Sequence, residues 1–193
     1  KPGQANIDLD EFSFRERSGL QLQNFALNLS VTDKQLTIED LEFITPKNLL
    51  SGNLELNYTA ISDLINSPES ASLDLSLTKL ILEPTEFSIF SPDLAKNEYL
   101  QKLSQKELRG SLALTGQLSD FNVNKFNLDW GKETSINVFG RVKNATDTEK
   151  FVASLEDIRI QSVKTDIVEF VEEDSLGIAL PEQISLQGKA TAS

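Results

Sequence analysis

Ser76-Leu-Thr-Lys79 is the strongest catalytic candidate in this chain, because it has the Ser-x-x-Lys spacing with which a lysine activates a serine in penicillin-recognising hydrolases. That chemistry needs the two side chains to meet across one helical turn. Here the motif lies in an alternating apolar/polar stretch, Leu73-Asp-Leu75-Ser-Leu77, which predicts a strand and separates them. The companion Ser-Asp-Asn and Lys-Thr-Gly elements are missing. Paired carboxylates for glycoside hydrolysis are available at Asp8/Asp10 and at Glu172/Glu173/Asp174. The first pair reads as the solvent face of a strand and the second group as a helix-end loop. In a chain with 30 Asp and Glu such groupings arise without function.

Other chemistry is closed off by composition. There is no His, Cys or Met, so no imidazole base, thiolate ligand or disulfide exists. Asp8-Leu-Asp10-Glu11 lacks the glycine and terminal glutamate of a calcium loop. No catalytic residue, metal or cofactor is therefore expected. Asn28-Leu-Ser30, Asn57-Tyr-Thr59 and Asn144-Ala-Thr146 fit the glycosylation acceptor pattern, a short motif that also arises by coincidence. Trp130 with Phe126 offers a sugar-stacking platform, against the commoner role of a lone strand Trp as core. A net charge of −12 opposes nucleic acid, and equally a polybasic membrane patch.

The elements that must position these residues are strands. Three stretches share one phrase: Leu112-Ala-Leu-Thr-Gly116-Gln-Leu118, Ile136-Asn-Val-Phe-Gly140-Arg-Val142 and Ile184-Ser-Leu-Gln-Gly188-Lys-Ala190. Each alternates apolar with other residues and sets a glycine on the apolar face. The glycines are spaced 140 − 116 = 24 and 188 − 140 = 48, which suggests a repeat with one imperfect slot near Ile158–Val163. Gly116, Gly140 and Gly188 should therefore share one face of one sheet. Alternation also marks Phe12–Phe14, Phe25–Val31, Leu36–Ile38, Leu41–Phe43, Leu54–Tyr58, Leu73–Leu77, Phe121–Val123, Phe126–Trp130, Phe151–Leu155 and Ile158–Ile160. Asp33-Lys34 reads as a turn, and Asp129–Lys132 and Lys143–Asp147 as hairpin tips.

Helices are expected in three places. Ala60–Ser67 carries Ile61, Leu64 and Ile65 and ends at Pro68. Ser91-Pro92-Asp93 is a helix start, with Leu94, Tyr99, Leu100 and Leu103 as its stripe. Thr165-Asp166 opens a third, carrying Ile167, Val168, Phe170 and Val171. Strand should occupy about half the chain and helix about a fifth, against a usual strand share of roughly a quarter. The reading is mainly β with a few short helices: a long curved antiparallel sheet with one apolar face, forming one continuous unit over residues 1–193 with no linker. If compact, a chain of this length buries about 70% of its unfolded surface. The apolar face is either the inner face of a packed core or an open groove for acyl chains. The glycines on it favour bending or close approach.

Several phrases resemble the AsmA-like proteins, and the large TamB-type members in particular. They are Phe90-Ser-Pro-Asp-Leu94, Leu112-Ala-Leu-Thr-Gly116, Leu180-Pro-Glu-Gln-Ile184-Ser-Leu186-Gln-Gly188, and the opening Phe14-Arg-Glu-Arg-Ser-Gly19-Leu-Gln-Leu-Gln-Asn-Phe25. The resemblance implies a β-taco fold with a hydrophobic groove and no catalytic residues. It implies a non-enzymatic Gram-negative envelope protein, periplasmic and anchored in the inner membrane. It also implies lipid transport toward the outer membrane, or outer-membrane biogenesis with a barrel protein as partner. The absence of Met and of any anchor then reads as an excised internal segment, with the membrane anchor outside it. Candidate acyl-chain contacts are Leu112, Leu114, Gly116, Leu128, Trp130, Ile136, Val138, Gly140, Ile184, Leu186 and Gly188. The rival expectation is a surface β-sandwich for adhesion or assembly, with specificity in loops Thr45–Asn48 and Asn144–Asp147.

Overall fold

A computed structural model describes residues 3–17, 19, 21–89, 96–147, 149–173 and 177–192. Strand makes up 58% and helix 14%. The strands are β1 (Gln4–Leu9), β2 (Phe14–Arg15), β3 (Gln21–Leu22), β4 (Asn24–Thr32), β5 (Gln35–Ile44), β6 (Leu49–Asn57), β7 (Ser72–Leu82), β8 (Leu108–Gln117), β9 (Phe121–Trp130), β10 (Thr134–Lys143), β11 (Val152–Val163) and β12 (Gln183–Ala192). Ten of them form one open antiparallel sheet in the order β1-β4-β5-β6-β7-β8-β9-β10-β11-β12. β2 and β3 form a small ribbon between β1 and β4. A sandwich needs two stacked sheets. The described residues make one large sheet and a two-stranded ribbon, so the sandwich expectation gives way to a single layer.

Local chemistry accounts for the joints. Asp33-Lys34 is the whole β4–β5 turn, closed by the Thr32 hydroxyl, which accepts from Gln35 N at 3.0 Å. Helix α1 (Ile61–Asn66) starts where the Asp63 carboxylate accepts from Ala60 N, and Pro68 opens a separate 3-10 turn after it. Helix α2 (Glu98–Leu103) is capped by Asn97, whose side-chain oxygen accepts from Leu100 N at 3.1 Å. The expected start at Ser91-Pro92-Asp93 lies outside the described residues. Helix α3 is one turn, Lys164–Ile167, so Val168, Phe170 and Val171 follow the helix instead of riding on it.

Stretches that read as separate short strands are continuous, with a bulge inside each. Val123 and Phe126 both belong to β9, and Leu155 and Ile158 both belong to β11. The register slips at Ile38/Leu41, Leu77/Leu80, Val123/Phe126 and Leu155/Ile158. A fifth slip follows β1: Leu9 faces Leu27, while Phe12 and Phe25 exchange backbone hydrogen bonds of 3.0 and 2.9 Å. In every case two apolar residues stand three apart around a polar pair: Asp10-Glu11, Glu39-Asp40, Thr78-Lys79, Asn124-Lys125 and Glu156-Asp157. A bulge absorbs the extra residue and keeps the apolar side chains on one face. Bulged and plain strands alternate across the whole sheet; the bulges of β5, β9 and β11 fall at one level of the ladder, and those after β1 and in β7 one apolar row further along. They form a transverse crease, where bulges bend and twist their strands.

The 24-residue glycine period does not survive as a repeat. Between Gly116 and Gly140 the chain makes one strand and two turns, β9 with its hairpin ends. Between Gly140 and Gly188 it again makes one strand, β11, followed by α3 and a connector, so 48 residues are one long excursion and not two periods.

Candidate functional site: the apolar face of the sheet

The strand register builds the face row by row. One row runs from Ile7 through Leu29, Ile38, Leu54, Leu75 and Leu114 to Val123, Gly140, Leu155 and Ala190. The next carries Gly52, Leu77, Leu112, Phe126, Val138, Ile158 and Gly188. A third carries Phe25, Phe43, Leu50, Leu80, Gly110, Leu128, Ile136, Ile160 and Leu186. Outside the first row run Leu56, Leu73, Gly116, Phe121 and Val142. No charged residue interrupts these rows. All eleven residues expected to contact acyl chains fall on this face. Gly116, Gly140 and Gly188 share it.

The opposite face is mainly polar, with Phe139 exposed on it and an Ile44-Leu49-Ile81 row at one end. Ser30, Thr37, Glu55, Asp74, Thr115, Asn122, Arg141, Ser154 and Thr191 form one of its rows. The hollows of about 770, 430 and 500 Å³ open on this side, beside the bulges at Asn124-Lys125, Glu39-Asp40 and Thr78-Lys79. The largest is lined by Asn127, Asn137, Arg159 and Gln187. These are shallow wells of mixed polar and apolar lining beside the interruptions of the ladder.

The apolar face is not sealed. Its central residues Leu75, Leu112, Leu114, Phe126, Val138 and Ile158 are half-buried, while its edges expose Ile7 at 53% and Leu186 at 49%. The chain exposes 12,369 Å². A compact monomer of 21.4 kDa exposes about 9,100 Å². The excess is what a single layer with an uncovered face produces.

One end of the face is capped. Trp130 is only 3% exposed, so it is neither a stacking platform nor an open contact. Its indole N–H donates to Leu103 O at 2.7 Å, Phe170 meets its ring edge-on at 5.2 Å, and Lys106 Nζ lies 4.5 Å over the ring. Asp166, from α3, is 2% exposed and bonded to Lys106 Nζ. Its other oxygen accepts from the Thr134 hydroxyl at 2.6 Å, and Thr134 also pairs with Ser162 at 2.7 Å. Burial pushes the Asp166 carboxyl up, and the Lys106 and Thr134 bonds outweigh it, holding the group below the ordinary aspartate range. This network clamps α3 over the end of β9, β10 and β11.

Ser76 and Lys79 lie on β7 with the bulge between them, at an extended spacing of about 10 Å. Thr45 and Asn48 are buried and both bond Glu86, which ties the β5–β6 turn to the segment after β7. Asn144 donates through its backbone to the Asp120 carboxylate at 2.9 Å, so the β10–β11 loop is tied to the β8–β9 turn. Both loops are thus held to neighbouring elements. Glu173 accepts from Lys164 Nζ and from Leu180 N, both at 2.8 Å, and these bonds hold its pKa down. Asp8 is exposed on the polar side. Phe90–Leu94 and Asp174 lie outside the described residues. Among the described residues no cluster of three acidic side chains could hold a metal, and no helix is long and apolar enough to cross a membrane.

No family model matches the chain, and no curated protein or solved structure is significantly similar to it.

Proposed function

We propose that this chain is a non-enzymatic cell-envelope module whose open apolar sheet face carries phospholipid acyl chains. The observation behind the reading is the uninterrupted apolar face across ten strands, in a chain that exposes far more surface than a compact monomer of its mass. An apolar patch of that extent marks a binding surface, and its rows offer hydrocarbon-sized lanes without any hydrogen-bond donor. Polar residues on the other face keep the module in water. The resemblance of its phrases to AsmA-like and TamB-type proteins supports reading such a surface as periplasmic, serving phospholipid transport or protein assembly at the outer membrane, with a barrel protein as a partner.

The test is detergent-free purification from a Gram-negative host, followed by native mass spectrometry and lipid extraction. Phospholipid should co-purify, and a fluorescent phospholipid should bind the stripped protein. Leu114→Glu at the centre of the face, and Leu186→Glu at its exposed rim, should each lower binding by roughly tenfold or more, because a carboxylate resists transfer into hydrocarbon. Folded protein that neither retains phospholipid nor takes up the probe overturns the reading.

A further inference from the structure

On its polar side the sheet holds a well of about 770 Å³ that reaches from β9 across β10 and β11 to β12. β9, β10 and β11 each have a strand on both sides, so the well belongs to the body of the sheet. We infer that it binds a short neutral oligosaccharide, with one sugar ring stacked on Phe139. Binding here is independent of the lipid face.

Phe139 is out of place by the pattern of its neighbours. Among the described residues, the strands of the large sheet expose three large apolar side chains, and Ile7 and Leu186 belong to the apolar face. Phe139 is 45% exposed on the other face, in a well lined mostly by polar side chains. Its strand, β10, runs between two bulges, Asn124-Lys125 on β9 and Glu156-Asp157 on β11. The first leaves Phe139 without a register partner on β9, and its partner on β11 is Asp157. No apolar side chain opposite covers the ring.

A row of planar polar side chains runs beside it. Asn137 is the next residue on this face of β10, and the register sets Asn127 on one side of it and Arg159, then Gln187, on the other. Four strands span about 14 Å, the reach of a trisaccharide. An amide donates and accepts, as a sugar hydroxyl does. Among the described residues Asn127, Asn137 and Gln161 have no side-chain hydrogen-bond partner, so their donors and acceptors are available. Asp157 accepts from Arg159 Nη2 at 2.8 Å and from Gln187 Nε2 at 3.3 Å, which orders both before a ligand arrives. A pyranose matches both parts, with an apolar C–H face for the ring and a rim of hydroxyls for the row.

Charge selects a neutral ligand. The well beside Glu39-Asp40 is lined by four acids and no base. In the large well Arg159 and Asp157 cancel, and Lys125 is the one charge left over. One ammonium is too little for a polyanion, and it donates equally well to a hydroxyl. The volume lies within the usual range for small-ligand sites.

Saturation-transfer NMR with maltotriose, cellotriose and triacetylchitotriose at millimolar concentration tests this. At least one sugar should receive saturation from the protein, with a saturable titration. Phe139→Ala should weaken binding by roughly threefold to tenfold, the range for loss of an aromatic stacking partner, and Phe139→Trp should retain it. Asn137→Ala should weaken it as well. Both residues are exposed, so the variants should melt like the parent, and phospholipid uptake should stay unchanged in each. Absence of transfer to all three sugars, or binding that Phe139→Ala leaves unchanged, overturns the assignment.

Discussion

At Gly140 an added Cβ would stand inside the Ser154 carbonyl oxygen and 2.9 Å from Leu155 Cα, both backbone of the bulged strand β11. Backbone cannot rotate away as a side chain can. Gly140→Ala should therefore cost about 1–3 kcal/mol by overpacking, lowering the melting temperature by about 2–10 °C. Gly188 shares the face but meets nothing within 4 Å, so Gly188→Ala should leave melting unchanged within about 0.5 kcal/mol. Equal losses at both positions would show that the glycines serve the face and not the crease. The sequence shows that these residues share a face, because alternation is a property of the strand itself. It does not show which glycine is crowded, because crowding depends on the neighbouring strand's bulge.

The cap formed by α3 makes the second prediction, at the scale of the element. Asp166 has its pKa lowered in the fold, so its stabilising contribution is complete above the unfolded value near 3.8 and lost as pH falls through the lower folded value. Glu173, held by Lys164, is shifted the same way and pins the chain after α3. Trp130 is the sole Trp, so tryptophan fluorescence, excited selectively over the two tyrosines, reports on this cap alone. Acid titration should red-shift its emission below about pH 4, before the far-UV signal of the sheet is lost. Lys106→Met should cost about 1–2 kcal/mol, at the lower end for a buried partner because Lys106 is one-third exposed, and should move the acid transition upward. A red shift that merely coincides with global unfolding would show that the cap is not a separate unit. The sequence places a short helix at Thr165-Asp166, yet the clamp escapes it, because Lys106, Thr134, Ser162 and Asp166 meet only when three strands align. The bulges escape for a related reason. An apolar pair three apart breaks alternation as a turn would, and only strand register distinguishes the two. The repeated polar pair between apolar residues, as in Val123-Asn-Lys-Phe126 and Leu155-Glu-Asp-Ile158, is the signal that could have found them.

For the whole molecule, a single open layer buries less surface than its length allows. With 12,369 Å² exposed, the chain buries about 60% of its unfolded surface in place of the roughly 70% of a compact fold. Urea m-values and unfolding heat capacity scale with the surface that unfolding exposes. Both should fall about 15% below those of a compact protein of equal length, and rise when phospholipid is present. Values at or above the compact expectation would mean that the apolar face is covered in solution.

The strict alternation of bulged and plain strands also sets how such a sheet can change its length. Adding or losing one strand would put two plain or two bulged strands side by side and reverse the direction of every strand after it. Adding or losing a hairpin, such as β9 with β10, leaves polarity, crease and both faces intact. Long and short versions of this sheet should therefore differ by even numbers of strands, with the variation in residue count carried by the connectors that hold α1, α2 and α3.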